Sequence, residues 1–337
     1  MGYRTYSPWR SSAPRESAGQ LWHWADDSAQ QGQVLGAFQE ASNCQANSDV
    51  STRRWGWSAE ATWRRVQEQH AGVRLSCHLR EPPDWKLKQW RVGRGSRAPV
   101  LLFLHSASYK PLDDLFPRGD AWLDEAWLEP FFVLCPCCPD DYYWLLRGNS
   151  WTEQGGEWRT DERGFHYWSA PLATEMADCL EKLLHSVLPP SVADHSRICL
   201  AGSSMGGQGC WELGALKPEL FAALAPVAAH LDGEREAHVV GRLAEMPVWA
   251  FHGVDDQCCS YDCTLSLVRR LGSHASLTTY RERRGGQSVH NSAAEVAFVE
   301  HGRALLAWFA RQRAARDCRA KAPDADDDGG DGAAGER

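Results

Sequence analysis

Between residues 99 and 311 the chain alternates short, almost wholly apolar runs with segments whose apolar residues recur at helical spacing. The run 99–104 has no polar alternation, so neither of its faces can meet water, and it fits a strand covered on both sides. Further β-rich runs fall at 131–134, 197–201, 221–227, 248–251 and 276–280, with helical patterns at 172–188, 206–216, 261–271 and 292–311. The pattern over 172–188 places Leu172, Met176, Leu180, Leu183, Leu184 and Val187 on one stripe, and Pro189-Pro190 stops it. Strands separated by crossover helices become parallel neighbours, so the expected fold class is α/β, a mostly parallel central sheet with helices on both faces.

The flanks carry weaker signals. Residues 1–70 are polar and rich in Gln, Ser and Trp, and only 54–70, with Trp55, Ala59, Trp63 and Val66, has the spacing of an amphipathic helix. An irregular or partly helical extension is therefore expected over 1–70, ahead of a main domain at 71–315 that opens with β-rich runs at 73–79 and 85–92. An aperiodic insertion at 138–170 holds Tyr142, Tyr143, Trp144, Trp151, Trp158, Tyr167 and Trp168, as suits either an aromatic wall over a pocket or a self-packed loop. Residues 323–337 hold five Asp, one Glu and one Arg, and 316–337 reads as a disordered acidic tail.

Of the net charge of −8, residues 323–337 supply −5, so the remainder carries only −3 and has no electrostatic footprint for nucleic acid. The first twenty residues lack the apolar run of a signal peptide, and no stretch approaches 18 consecutive apolar residues, so a cytoplasmic chain without a membrane span is expected. Twelve Cys are spread through the sequence; the clusters Cys135/Cys137/Cys138 and Cys258/Cys259/Cys263 lack the paired Cys-x-x-Cys spacing of a zinc site and read as reduced, mostly buried thiols.

The chemistry is concentrated in Gly202-Ser203-Ser204-Met205-Gly206, a G-x-S-x-G placed between the run 197–201 and the helix that follows. A sharp strand-to-helix turn strains its central residue and leaves room only for Gly at its flanks. It sets the Ser204 hydroxyl at a helix N-terminus, beside main-chain N–H groups that can bind an oxyanion. Ser203 is the competing nucleophile, but its side chain points away from the crest of such a turn.

A serine of this kind needs a base, and in this architecture the chain order is Ser, then Asp or Glu, then His. Of His230, His238, His252, His274, His290 and His301, only His290 falls in a loop after the last strand and before the final helix. The acid should stand just past the preceding strand, where the chain reads His252-Gly253-Val254-Asp255-Asp256 and either Asp qualifies.

With these motifs in place, residues 197–229 resemble the nucleophile region of the α/β-hydrolases, in particular phospholipase/carboxylesterase, polyhydroxybutyrate-depolymerase-like and prolyl-oligopeptidase-like groups. The resemblance runs from about 99 to 311 and implies the α/β-hydrolase fold. Its acid follows a strand as H-G-x-x-D, which lands on His252, Gly253 and Asp256 and so ranks Asp256 over Asp255. It also implies an oxyanion hole built from the N–H of Met205 and from the loop after the first central strand, here His105-Ser106-Ala107. Relatives carry Gly after that His, so Ser106 predicts a stiffer loop. A second departure puts Cys258-Cys259 beside the acid.

The implied activity is a serine hydrolase cleaving a carboxylic ester of a small-molecule substrate through an acyl-enzyme, with Ser204, Asp256 and His290 as triad and with no cofactor or metal required. Two rivals are a prolyl-oligopeptidase-like serine peptidase and a catalytically silent α/β-hydrolase serving as a binding module. No repeat with the period of a propeller precedes the main domain, which favours the esterase over the peptidase.

Overall fold

A computed structural model describes residues 62–82, 97–107, 128, 130–148, 150, 153–231, 233–281 and 288–314. The expected strand over 85–92, Trp151 and the acidic tail lie outside the described residues. The sheet is built from β1 (Thr62–His70), β2 (Val73–Glu81), β3 (Ala98–Leu104) and β4 (Phe132–Cys137), and later from β9 (Ala193–Ser203), β10 (Ala223–Val227), β11 (Val248–Gly253) and β12 (Ala275–Tyr280). Between them, β5 (Tyr142–Tyr143) pairs with β6 (Leu146–Arg147), and β7 (Glu157–Thr160) pairs with β8 (His166–Ser169), as two small hairpins.

The eight-stranded sheet has the order β1-β2-β4-β3-β9-β10-β11-β12. Its strands run parallel except β2, which is antiparallel to both neighbours. The helices are α1 (Thr174–Val187), α2 (Met205–Leu216), α3 (Gly233–Arg242), α4 (Tyr261–Leu271) and α5 (Gly302–Phe309).

Strand alternation divides the core into two layers. In β3, Val100, Leu102 and Leu104 face a cluster that includes Leu180, Leu183 and Leu184 of α1, Trp211 of α2 and Leu267 of α4. Leu101 and Phe103 face the other side, where they meet Phe298, Leu305 and Phe309. Every side chain of β3 is buried, as its unbroken apolar sequence requires. Truncating one of these, such as Leu102→Ala, would cost about 2–5 kcal/mol.

Three expectations are corrected. Residues over 54–70 do not form a helix where they are described: Thr62–His70 is an edge strand, in register with β2 from Thr62↔Glu81 to His70↔Val73. The pairing is driven from β2, whose Val73, Leu75, Cys77 and Leu79 are buried in alternation, and from the two-residue turn Ala71-Gly72, where both residues have positive φ. Residues 62–70, expected in the extension, thus belong to the central sheet. The final helix over 292–311 is broken: a turn at Ala293–Glu295 passes into a π-helical segment, Val296–Glu300, before α5. Phe298 in that widened segment packs edge-on against Phe103, with ring centroids 5.4 Å apart. Within 138–170 the chain is not aperiodic but forms the two hairpins.

Candidate active site

The turn between β9 and α2 places Ser204 at φ 56 and ψ −116, a conformation that non-glycine residues rarely adopt and that costs roughly 1–3 kcal/mol. The surroundings enforce it. Ser204 N–H donates to the Val227 carbonyl at 2.9 Å, and the Ser204 carbonyl accepts from Gln208 N–H at 2.9 Å. A Cβ on Gly206 would collide with the Leu104 carbonyl, and one on Gly202 with the Gly206 carbonyl, so both flanking glycines are required by close backbone approach. Ser203 stays within β9 and is 7% exposed.

Ser204, His290 and Asp256 are brought together as the sequence places them. His290 Nε2 lies 2.9 Å from Ser204 Oγ, and His290 Nδ1 lies 2.8 Å from Asp256 Oδ2. With a carboxylate at Nδ1, that nitrogen carries the proton, and Nε2 offers its lone pair to the serine hydroxyl. Asp256 follows β11 and is almost fully buried, and its Oδ1 accepts from the N–H groups of Cys258 at 2.7 Å and Cys259 at 3.0 Å. Burial pushes its carboxyl up, but the charge and hydrogen bond of His290, together with His252 and the Cys259 amide, hold it below the usual value. Asp255 turns outward to an exposed ion pair with Arg281 at 3.4 Å, which leaves Asp256 as the partner of His290.

His252 is a further member of the site whose role the sequence did not reveal, although it stands at the head of H-G-x-x-D. Its Nδ1 meets Thr264 Oγ1 at 2.8 Å, and its Nε2 lies 3.1 Å from the Cys259 carbonyl and 3.5 Å from Asp256 Oδ2. Burial pushes its pKa down to about 4 against the pull of Asp256, so the ring is neutral at pH 7. The Cys259 thiol is raised well above its ordinary value, first by burial and then by the Asp256 charge, so it stays protonated and unreactive.

The loop after β3 abuts the elbow: a Cβ on Gly206 would lie 2.8 Å from the His105 carbonyl. Ser106 is not among the described residues with positive φ, so the loop takes a backbone path that needs no glycine, and the stiffness expected of it carries no strain. The Ser106 hydroxyl is buried and has no hydrogen-bond partner among the described residues.

The aromatic insertion packs close to this edge of the sheet. Trp144 is fully buried against His105, Trp158 packs edge-on against Trp168, and Phe165 and Tyr167 stack on His230. It thus packs partly on itself and partly on the loops around Ser204. Among the described residues, Asp256, Cys258 and His290 form the group able to hold a metal ion, with donor atoms within 4.8 Å of one another; two of the three already serve the chain to Ser204. Cys77, Cys179, Cys199, Cys210, Cys259 and Cys263 are free thiols. No helix among the described residues is long and apolar enough to cross a membrane.

Among solved structures, the chain is similar to a thermostable esterase, at 24% identity and TM-score 0.56, over 75% of this chain and 63% of that one. It is also similar to an acylaminoacyl peptidase from Pyrococcus horikoshii, at 14% identity and TM-score 0.51, over 76% of this chain and 42% of that one. No protein-family model and no curated protein matches it. The chain thus spans under two thirds of the length of either structure. Strand order, the one antiparallel strand and the strained serine turn, with these likenesses, define the class: the chain has the α/β-hydrolase fold.

Proposed function

We propose that the protein is a serine hydrolase that cleaves a carboxylic ester of a small-molecule substrate through an acyl-enzyme. The observation that carries this reading is the unbroken hydrogen-bonded chain from Ser204 Oγ through His290 to Asp256 Oδ2. Ser204 Oγ attacks the acyl carbonyl while His290 Nε2 takes its proton, and Asp256 holds the imidazole and stabilises its charge. The developing oxyanion is bound by the N–H of Met205 and by an N–H from the loop of Ser106 and Ala107. His290 then returns the proton to the leaving alcohol, and a water activated by the same imidazole releases the acid. No step in this sequence calls on a cofactor.

The free thiols suit a reducing, cytoplasmic setting. Hydrolysis of short-chain p-nitrophenyl esters by the purified protein, compared with hydrolysis of N-acyl peptides, tests the reading. Ester turnover that disappears with Ser204→Ala supports it. Cleavage of the peptides alone would move the function to the peptidase class, and no turnover of either would favour a silent binding module.

A further inference from the structure

The loop at 105–107 lacks the glycine of its relatives, yet it is tied down by two side chains whose donors face successive carbonyls. The Cys138 N–H donates to His105 Nε2 at 3.1 Å. A ring nitrogen that accepts from a backbone amide carries no proton, so the ring proton of His105 is on Nδ1, which donates to the Ser106 carbonyl at 2.8 Å. The preceding carbonyl, that of His105, accepts from the indole Nε1–H of Trp144 at 2.8 Å. In a trans peptide the C=O and N–H point in opposite directions. Pinning the His105 carbonyl therefore aims the Ser106 N–H, and pinning the Ser106 carbonyl aims the Ala107 N–H.

Trp144 is itself held in a way that ordinary packing does not require. It has φ 50, in the left-handed region that a bulky residue rarely enters. Its own N–H donates to Cys138 Sγ at 3.2 Å, and its ring lies 5.0 Å from the His105 ring. A Cβ on Gly209, one turn into α2, would come 2.9 Å from Trp144 Cβ, so the indole is wedged between the serine helix and the loop. The segment that carries it is anchored to the start of α1 by Ala173 N–H to the Leu145 carbonyl at 2.7 Å and Arg147 N–H to the Pro171 carbonyl at 2.8 Å. Strain of this kind persists only where the surroundings over-determine it.

We propose that Trp144 is a positioning residue for ester hydrolysis, whose indole N–H fixes the 105–107 loop so that its amides meet the oxyanion without the help of a glycine. The inference rests on the reading that this loop contributes to the oxyanion hole. It assigns to the aromatic insertion a part in turnover as well as in packing.

The test is steady-state hydrolysis of p-nitrophenyl acetate, with inhibition by an alkyl trifluoromethyl ketone, which adds to the serine and presents an oxyanion. Both are measured for the wild type, Trp144→Phe and Trp144→3-benzothienylalanine, the last of which keeps the bicyclic ring and loses only the N–H. The expected result is a fall in kcat of about 10-fold or more in both variants, with KM within twofold and the inhibition constant of the ketone raised by a similar factor. A merely structural role would not produce that matched loss with an unchanged melting temperature in the benzothienyl variant. Unchanged kcat in that variant, or a fall in kcat without a change in ketone affinity, overturns the inference. A wild type that neither hydrolyses the ester nor binds the ketone overturns the hydrolase reading and this inference with it; an active wild type with indifferent variants overturns this inference alone.

Discussion

Ser204 and His290 are 86 residues apart in the chain, and Nε2 of the histidine stands 2.9 Å from Oγ of the serine. The sheet makes that meeting possible. The serine stands at the end of β9, the acid follows β11 and the histidine comes after β12, so the parallel strands deliver all three to the same edge. Ligands of open α/β sheets bind at that edge, beyond the carboxyl ends of the strands.

Removal of the hydroxyl is the first consequence. Ser204→Ala should lower turnover of a p-nitrophenyl ester by a factor on the order of 10⁶, because it removes the hydroxyl that takes the acyl group. Ser203→Ala should leave turnover within a fewfold, since that side chain sits within β9. Loss of activity through Ser203 and not Ser204 would place the nucleophile one residue earlier.

The two adjacent aspartates should separate cleanly. Asp256→Asn should cost about 10⁴ in turnover, because an amide at this position favours the wrong tautomer of His290. Asp255→Asn removes only an exposed ion pair to Arg281 and should change turnover and stability little. Comparable effects of the two substitutions in the same assay would contradict the geometry.

Ser106 bears on the oxyanion loop in a different way from Trp144. Its hydroxyl has no partner among the described residues, and its backbone needs no positive φ. Both Ser106→Ala and Ser106→Gly keep the amide donors, so turnover should stay within a fewfold, or rise, with the circular dichroism spectrum unchanged. A drop of a hundredfold in Ser106→Ala would show that the hydroxyl itself donates to the oxyanion.

His252 predicts a pH dependence of stability. Its pKa is about 4 in the folded protein, below the ordinary 6.5, so the unfolded chain binds the proton more readily. Stability is therefore full above pH 6.5 and is lost as pH falls toward 4, by about 3 kcal/mol for this group. Urea unfolding at pH 7.0 and pH 4.5 should show a smaller acid loss in His252→Gln than in the wild type. Equal losses in the two proteins would mean that the imidazole is not held neutral.

Much of this arrangement is legible in the residues, for a physical reason in each case. The run 99–104 is apolar throughout because β3 is covered on both faces, and G-x-S-x-G is readable because a Cβ on either glycine would meet the backbone of Leu104, and one on Gly202 that of Gly206 as well. The distinction between Asp255 and Asp256 rests on the resemblance; in the structure Asp255 pairs outward with Arg281, while the Cys258 and Cys259 amides hold Asp256 against His290.

What the residues hid was structure imposed by neighbours. The strand Thr62–His70 is mostly polar and charged, with Trp63 and Val66 at a spacing that also suits a helix, and its identity comes from the buried alternation of β2. Helix α3 was not foreseen because, of its residues, only Val239 is fully buried, too little for a periodic signal. Trp144 looked like one aromatic residue among many; its importance lies in an indole hydrogen bond to a residue 39 positions away, which no local pattern records.

The central claim, that Ser204 is an activated nucleophile, is tested most directly by labelling with a fluorophosphonate and locating the adduct by peptide mass spectrometry. The expected result is stoichiometric labelling on the peptide that contains Ser204, abolished by Ser204→Ala and strongly slowed by His290→Ala. An unlabelled wild-type protein of intact fold, or an adduct on any residue other than Ser204, would contradict it.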